Sequence, residues 1–249
     1  MKFITKNDEP QEFIDWKVQE KDRLEQCYMR ESKAADCAWE HLPSNLPQLE
    51  EDGIIYYTKT KLKENLLNEQ GHICAFCMNR LDNDSKCTID HWVPKSQDAR
   101  RYTFDYQNLL AACSGTKDDK GRQIKPEDRY CNNKKDDKPI EKNGISIVIT
   151  PLQDDCEDKF IFAMDGKIYG VDEMANHTIA LLGLDSHILI RARKNAIYKY
   201  SYSNPMSKLS LNSSDEIQQK LANLKTTKKG KYEPFFVSNE QVLRNILYY

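Results

Sequence analysis

Asp90-His91 is the pair of neighbours in this chain best suited to chemistry, because cysteines spaced like metal ligands frame it. Upstream stands Cys74-Ala75-Phe76-Cys77; downstream come Asn108, Cys113 and then Cys131-Asn132-Asn133-Lys134-Lys135. A thiolate knuckle that gathers a carboxylate, an imidazole and two amides is what a one-metal phosphodiester-cutting site needs. Such hydrolysis requires a deprotonated water, charge neutralisation at the phosphorus and help for the leaving 3′ oxygen. An imidazole near its ordinary pKa is a good general base at neutral pH. A divalent cation held by a carboxylate and an amide oxygen, with positions open to phosphate, supplies the other two.

Cys74 and Cys77, with two residues between them, can bind one tetrahedral metal from a tight turn. The best second pair is Cys113 with Cys131, separated by 17 residues rather than the usual two to four. Closing a longer loop adds little entropy cost, so both sulfurs can still reach one ion. The alternative is four buried cysteines that never meet. Cys87 is a weaker substitute ligand, and Cys27, Cys37 and Cys156 read as packing residues.

The elements that must position these groups are partly legible. Residues 1–70 read mainly as helix, with an apolar stripe of Phe13, Trp16, Leu24 and Cys27 broken by Pro43 and Pro47. Gly71 stands where a helix ends. Residues 72–93, HICAFCMNRL, an LDND turn and KCTIDHWV, fit a β-hairpin with cysteines at its base. Asp90 and His91 then point to opposite faces unless the strand bends, and Pro94 makes a bend or strand end. DYQNLLAAC reads as a turn followed by a helical or buried segment that brings Asn108 back towards the imidazole. Residues 114–130 are a polar loop, and Asn132 follows a metal-ligand cysteine, so the metal would fix it. Further on, ISIVIT is apolar and FIFAMDGKIYGV is a hairpin signal at Asp165-Gly166. One long helix is expected from about Glu173 to Ala196, then a Lys-rich loop or linker, NLKTTKKGKY, and a last helix, NEQVLRNILYY. There are no internal repeats.

Bulk properties limit the partners. The chain has 249 residues, 31% charged and 39% hydrophobic, with 13 Tyr and 3 Trp that argue against disorder. A net charge of −2 is not that of a protein that coats nucleic acid unaided. The N-terminus carries charges where a signal peptide is apolar, and no run approaches the roughly 20 apolar residues of a membrane span. A cytoplasmic chain is expected, with its eight cysteines reduced and favouring metal over disulfides.

GHICAFC, TIDHWVPKS, DYQNLLAAC and YCNNKK together resemble the ββα-metal, or HNH, endonucleases. More narrowly they are similar to the PtuB-like HNH subunit of Septu-type and retron-linked anti-phage systems. That family carries a broken second cysteine pair with a polar insert and the phrase matched by Asp90, His91, Pro94, Lys95 and Ser96. LNEQGHICAFC, FAMDGKIYG and HTIALLGLDSHILIRARKNAI extend the likeness over roughly residues 61–200.

The resemblance implies an α+β fold: a zinc-stabilised HNH core over 71–140, a helical N-terminal segment over 1–70 and a mixed, mainly helical region over 141–249 that can dock a partner. It implies His91 as general base, Asp90 as a catalytic metal ligand, and Asn108 as support for the imidazole. Asn132 would be a second metal ligand where many relatives have His or Asp. Cys74, Cys77, Cys113 and Cys131 would hold structural Zn²⁺, with Mg²⁺ or Mn²⁺ at the catalytic position. Lys95 and Lys135 would contact nucleic acid, the latter having an exposed helix charge as its bland alternative. The family works with an ABC-like ATPase of the PtuA kind, and in retrons with a reverse transcriptase and its nucleic acid. DNA is expected as substrate ahead of RNA. The chain has no G-x-x-x-x-G-K-[ST] phosphate loop of its own. Lys225, Lys228, Lys229 and Lys231 can track a phosphate backbone or form a solvated loop. Two other readings are a non-catalytic zinc-stabilised binding module and a hydrolase using Cys87 as nucleophile.

Overall fold

In the computed structural model, residues 1–46, 53–82, 86–118, 121–142, 145–202, 212–224 and 226–248 are described. Four helices come first: α1 (Gln11–Gln19), α2 (Lys21–Tyr28), α3 (Ala34–His41) and α4 (Lys59–Glu69). The apolar stripe is inside, with Phe13, Trp16, Leu24 and Cys27 all buried. Pro47 and the Asn83-Asp84 part of the expected turn lie outside the described residues. Helix α4 starts where Thr58 accepts a hydrogen bond from the Lys61 amide, 3.1 Å. It buries Leu62, Leu66 and Leu67 and ends before Gly71, whose φ of +60° is in the left-handed region.

The central sheet departs from expectation. Strand β1 (Cys87–His91) pairs antiparallel not with residues 72–81 but with a later strand, which follows α5 (Ala99–Tyr102) and a 3₁₀ turn. That partner, β2 (Leu109–Cys113), is buried along its whole length. The register sets His91 opposite Leu109 and Cys87 opposite Cys113. Residues 72–81 cannot form the strand because the cysteine knuckle curls them. The Met78 amide donates to the Cys74 carbonyl at 3.0 Å, Met78 has φ +63°, and only an isolated Ile73–Arg80 bridge remains.

The free edge of β2 is closed by a side chain. Gln70 donates to the Ala111 carbonyl at 2.8 Å and accepts from the Ala111 amide at 2.7 Å. The Ala75 amide adds a second donor to the same carbonyl at 3.1 Å. A buried backbone group without a partner is costly, so Gln70 substitutes for a third strand.

After β2 the chain leaves and returns to α6 (Asn132–Lys135), a single turn. Then come β3 (Glu141–Lys142), β4 (Ile145–Ser146), β5 (Phe160–Phe162) and β6 (Ile168–Gly170). Strands β5 and β6 form the expected hairpin, with Gly166 at φ +87° and the Lys167 amide donating to Asp165 at 3.1 Å. The single helix expected over 173–196 is two, α7 (Glu173–Leu182) and α8 (His187–Ser201). Gly183 at φ +59° caps α7, and its bare Cα lets the Arg129 carbonyl approach closely. Helices α9 (Ser214–Leu224) and α10 (Phe236–Tyr248) follow.

Between α9 and α10 the chain is no linker. Lys228 and Lys231 bridge a tight turn, Lys231 pairs with Asp82 at 3.4 Å, and the Tyr232 amide donates to the Gly71 carbonyl at 2.9 Å. The Phe235 amide likewise reaches the Met78 carbonyl, so this segment packs over the cysteine knuckle. Lys225 lies outside the described residues. A second correction concerns the cysteines: Cys27 and Cys37, read as packing residues, form a disulfide. The α2–α3 turn brings their Cα atoms to 5.5 Å, inside the range a bridge can span. Among the described residues no helix is long and apolar enough to cross a membrane.

Candidate active site

Four sulfurs meet in the centre of the molecule. Cys74 and Cys131 Sγ are 3.7 Å apart, Cys77 and Cys113 Sγ are 3.6 Å apart, and all four lie within 4.8 Å of one another. Tetrahedral zinc with Zn–S of about 2.3 Å separates its sulfurs by about 3.8 Å, so the spacing fits. All four cysteines are buried, and the Cys113 amide donates to Cys74 Sγ at 3.2 Å, a contact that favours a thiolate there. This four-cysteine cluster can hold a structural zinc ion.

The long insert closes at its base. The Tyr130 amide donates to the Gly115 carbonyl at 3.3 Å, the Ile124 amide to the Thr116 carbonyl at 3.0 Å, and the Tyr130 hydroxyl to the Lys117 carbonyl at 3.0 Å. Cys131 then turns through φ +54°, a costly conformation for a side chain with a Cβ, and its amide donates to the Leu182 carbonyl at the end of α7 at 2.8 Å. The zinc cage is thereby tied to the C-terminal region.

Beside the cage, Asp90, His91, Lys95, Asn132 and Lys135 border one cleft of about 160 Å³, together with Asp136 and Asp137. Asp90 is only 3% exposed. Burial raises its carboxyl to about 6, against the opposing pull of Lys135, whose ammonium is 3.2 Å from Oδ2 and 3.4 Å from Oδ1. Oδ2 makes no aligned hydrogen bond, and the Lys135 ammonium is its charge partner. Asn132 donates its Nδ2–H to Thr88 Oγ1 at 2.9 Å, leaving the amide oxygen as its remaining acceptor. A carboxylate and an amide oxygen are hard donors and fit a Mg²⁺- or Mn²⁺-type ion.

His91 sits at the end of β1 with its ring against the edge of Trp39 from α3, centroids 4.8 Å apart. Trp39 in turn stacks on Phe104. The Nε2–H donates to the Thr103 carbonyl at 3.0 Å, so in the neutral ring Nδ1 keeps the lone pair. Burial pushes the imidazole down to about 4, with the Thr103 bond opposing, so the ring is neutral at physiological pH.

Two expected placements change. Asn108 makes no hydrogen bond to the imidazole. Its amide donates to the Val93 carbonyl at 2.9 Å and the Tyr102 carbonyl at 3.3 Å, and accepts from the Val93 amide at 2.7 Å. It therefore clasps the segments before and after the loop, and the ring is held by Thr103. Lys135 is not an exposed helix charge: it is 1% exposed, with Nζ 2.7 Å from the His91 carbonyl. Lys95 borders the cleft and pairs with Asp36 of α3. Cys87 is buried at the far end of β1 from His91, roughly 13 Å along the strand, too far for a nucleophile–base pair.

Trp39, Thr103, Gln70 and Asp136 escape sequence reasoning. Thr103 acts through its backbone carbonyl, Gln70 through a side-chain amide that meets the backbone of Ala111, and Trp39 lies 52 residues upstream of His91. Only the Asp-Asp pair after CNNKK offers a local signal.

No family model matches the chain. Over 70 residues it is 33% identical to an Escherichia coli protein named as the candidate HNH endonuclease of retron Ec83. That stretch covers 26% of this chain and 26% of the relative, so the chain matches about a quarter of the curated protein's length. With the β1–β2 pair, the α6 turn and the four-cysteine cluster, the α+β architecture is consistent with a zinc-stabilised, HNH-like core.

Proposed function

We propose that the chain is a metal-dependent HNH endonuclease that hydrolyses nucleic-acid phosphodiester bonds. The observation that carries this reading is the convergence of a neutral imidazole, a buried carboxylate and a side-chain amide on one cleft, with Asn132 of that cleft directly following Cys131 of the four-cysteine cluster. The partial likeness to a retron-linked protein of that name supports it.

His91 acts as general base. With Nε2–H committed to Thr103, Nδ1 of the neutral ring accepts the proton of the attacking water. Asp90 and the Asn132 carbonyl would hold Mg²⁺ or Mn²⁺, which when bound supplies charge neutralisation at the phosphate and the leaving oxygen. Lys95 and Lys135 add positive charge on the same cleft, and Asn108 positions the loop that carries Val93, Pro94 and Lys95. Thr103 and Trp39 hold the imidazole in one tautomer and orientation.

The substrate is a nucleic acid, DNA ahead of RNA, and the chain acts in the cytoplasm as the nuclease subunit of an anti-phage system of the Septu or retron type. A net charge of −2 and the absence of a nucleotide-binding loop argue for a partner, an ABC-like ATPase of the PtuA kind, that brings the substrate.

The purified chain, alone and with a candidate ABC-like ATPase partner, should nick or cut plasmid DNA when Mg²⁺ or Mn²⁺ is added. His91→Ala should lower the rate by about 10²-fold or more. A variant that cuts as fast as wild type would falsify the role of the imidazole. Zinc-dependent nucleic-acid binding without turnover would favour the binding-module reading instead.

A further inference from the structure

A second group of soft ligands lies outside the cage. Cys27 stands near the end of α2, while Cys37 and His41 stand one turn apart on α3, and their ligand atoms lie within 4.8 Å of one another. Residues at i and i+4 share a helix face, so Cys37 and His41 both turn towards Cys27. In the structure the two sulfurs are joined as a disulfide, and His41 lies beside them.

We propose that Cys27, Cys37 and His41 form a second zinc site when the thiols are reduced, and that the disulfide is the metal-free state of the same site. Two thiolates and a neutral imidazole balance the charge of Zn²⁺ and are a recurrent three-ligand set that leaves a fourth position for water. The three groups come from a rigid helix pair rather than from a loop, so little ordering is needed to bind the ion. The apolar neighbours of Cys27 and Cys37 in the core keep competing water away from the sulfurs.

The two states interconvert by balanced thiol–disulfide exchange with a small-molecule disulfide such as oxidised glutathione. One Cys thiolate attacks that disulfide and expels one thiolate. The other Cys thiolate then displaces the second, closing the Cys27–Cys37 bond. The protein loses two electrons, the small disulfide gains them as two thiols, and zinc departs because both sulfurs are consumed. Helix α3 also carries Asp36, which pairs with Lys95, and Trp39, which lies on His91. The site therefore pins the helix that roofs the candidate active site.

The test is a zinc count by mass spectrometry on the full chain, reduced, loaded with Zn²⁺ and exchanged into metal-free buffer. Wild type should hold one zinc ion more than His41→Ala and one more than Cys27→Ser. Oxidised glutathione should remove that one ion together with two titratable thiols, leaving the four-thiolate ion in place. His41→Ala, a change outside the apolar core, guards against misfolding of the cysteine variant, and His41→Cys should restore the count. Equal zinc in reduced wild type and His41→Ala would overturn the proposal, as would zinc that stays bound after the two thiols are oxidised. Neither result depends on whether the protein cuts nucleic acid.

Discussion

A Cβ on Gly115 would lie 1.6 Å from the carbonyl oxygen of Tyr130. No side chain can be accommodated there, and the glycine's φ of +69° adds to the demand. This contact closes the neck of the insert and so brings Cys131 back to Cys113. Gly115→Ala should therefore separate the two sulfurs, lower zinc retention and cost well over ~1 kcal/mol of stability. Zinc competition with a chelator and urea denaturation would measure both. Gly121, at the loop tip with φ +76° and no atom within 4 Å of its Cβ position, is the control. An alanine at 121 that harms zinc retention as much as one at 115 would refute the neck argument.

The cage should also be a folding device, because metal-binding energy in such a centre is folding energy. Cys131→Ser is expected to lose the ion held by the four thiolates and to unfold β2 and α6 together, read as lost amide protection over residues 109–135. Acid should do the same reversibly, since thiolates must be deprotonated to bind and protons compete for them. Unchanged metal content and Tm in Cys131→Ser would remove Cys131 from the ligand set.

Lys135 and Asp90 form a buried ion pair. Breaking one side leaves the other charge uncompensated, so Lys135→Met should destabilise by about 3 kcal/mol. Asp90→Asn in the same chain should recover part of that loss, because the stranded charge disappears with it. Additive losses in this double-mutant cycle would mean that the two groups do not act on each other.

Trp39 shields the His91 ring, and the depressed pKa follows from that burial. Trp39→Ala should admit water, which favours the charged form, so the His91 pKa should rise from about 4 towards its ordinary value. The protonated fraction at pH 5–6 then increases, and any activity that needs the neutral ring falls there first. Titration of the His91 ring by NMR, in zinc-loaded protein without magnesium, should show the upward shift. An unmoved pKa would assign the depression to other neighbours.

Local chemistry was readable without coordinates wherever neighbours along the chain decide the outcome. Cys74-x-x-Cys77 makes a turn whatever surrounds it, Asp165-Gly166 makes a hairpin, and a left-handed Gly71 follows the end of α4. The four thiol ligands could also be nominated, because loop closure over 17 residues is cheap. What stands across from β1 was not readable. Residues 72–81 and 109–113 both carry apolar side chains, and the curl of the knuckle at Met78 together with the pairing of Gln70 with Ala111 selects the second. For the same reason the sequence left open that Lys135 is buried, that Asn108 clasps backbone rather than imidazole, that Cys27 meets Cys37, and that Trp39 covers His91. Periodicity and capping are properties of a few consecutive residues. Burial, charge pairing and the tautomer of an imidazole belong to whatever the whole chain lays on top of them.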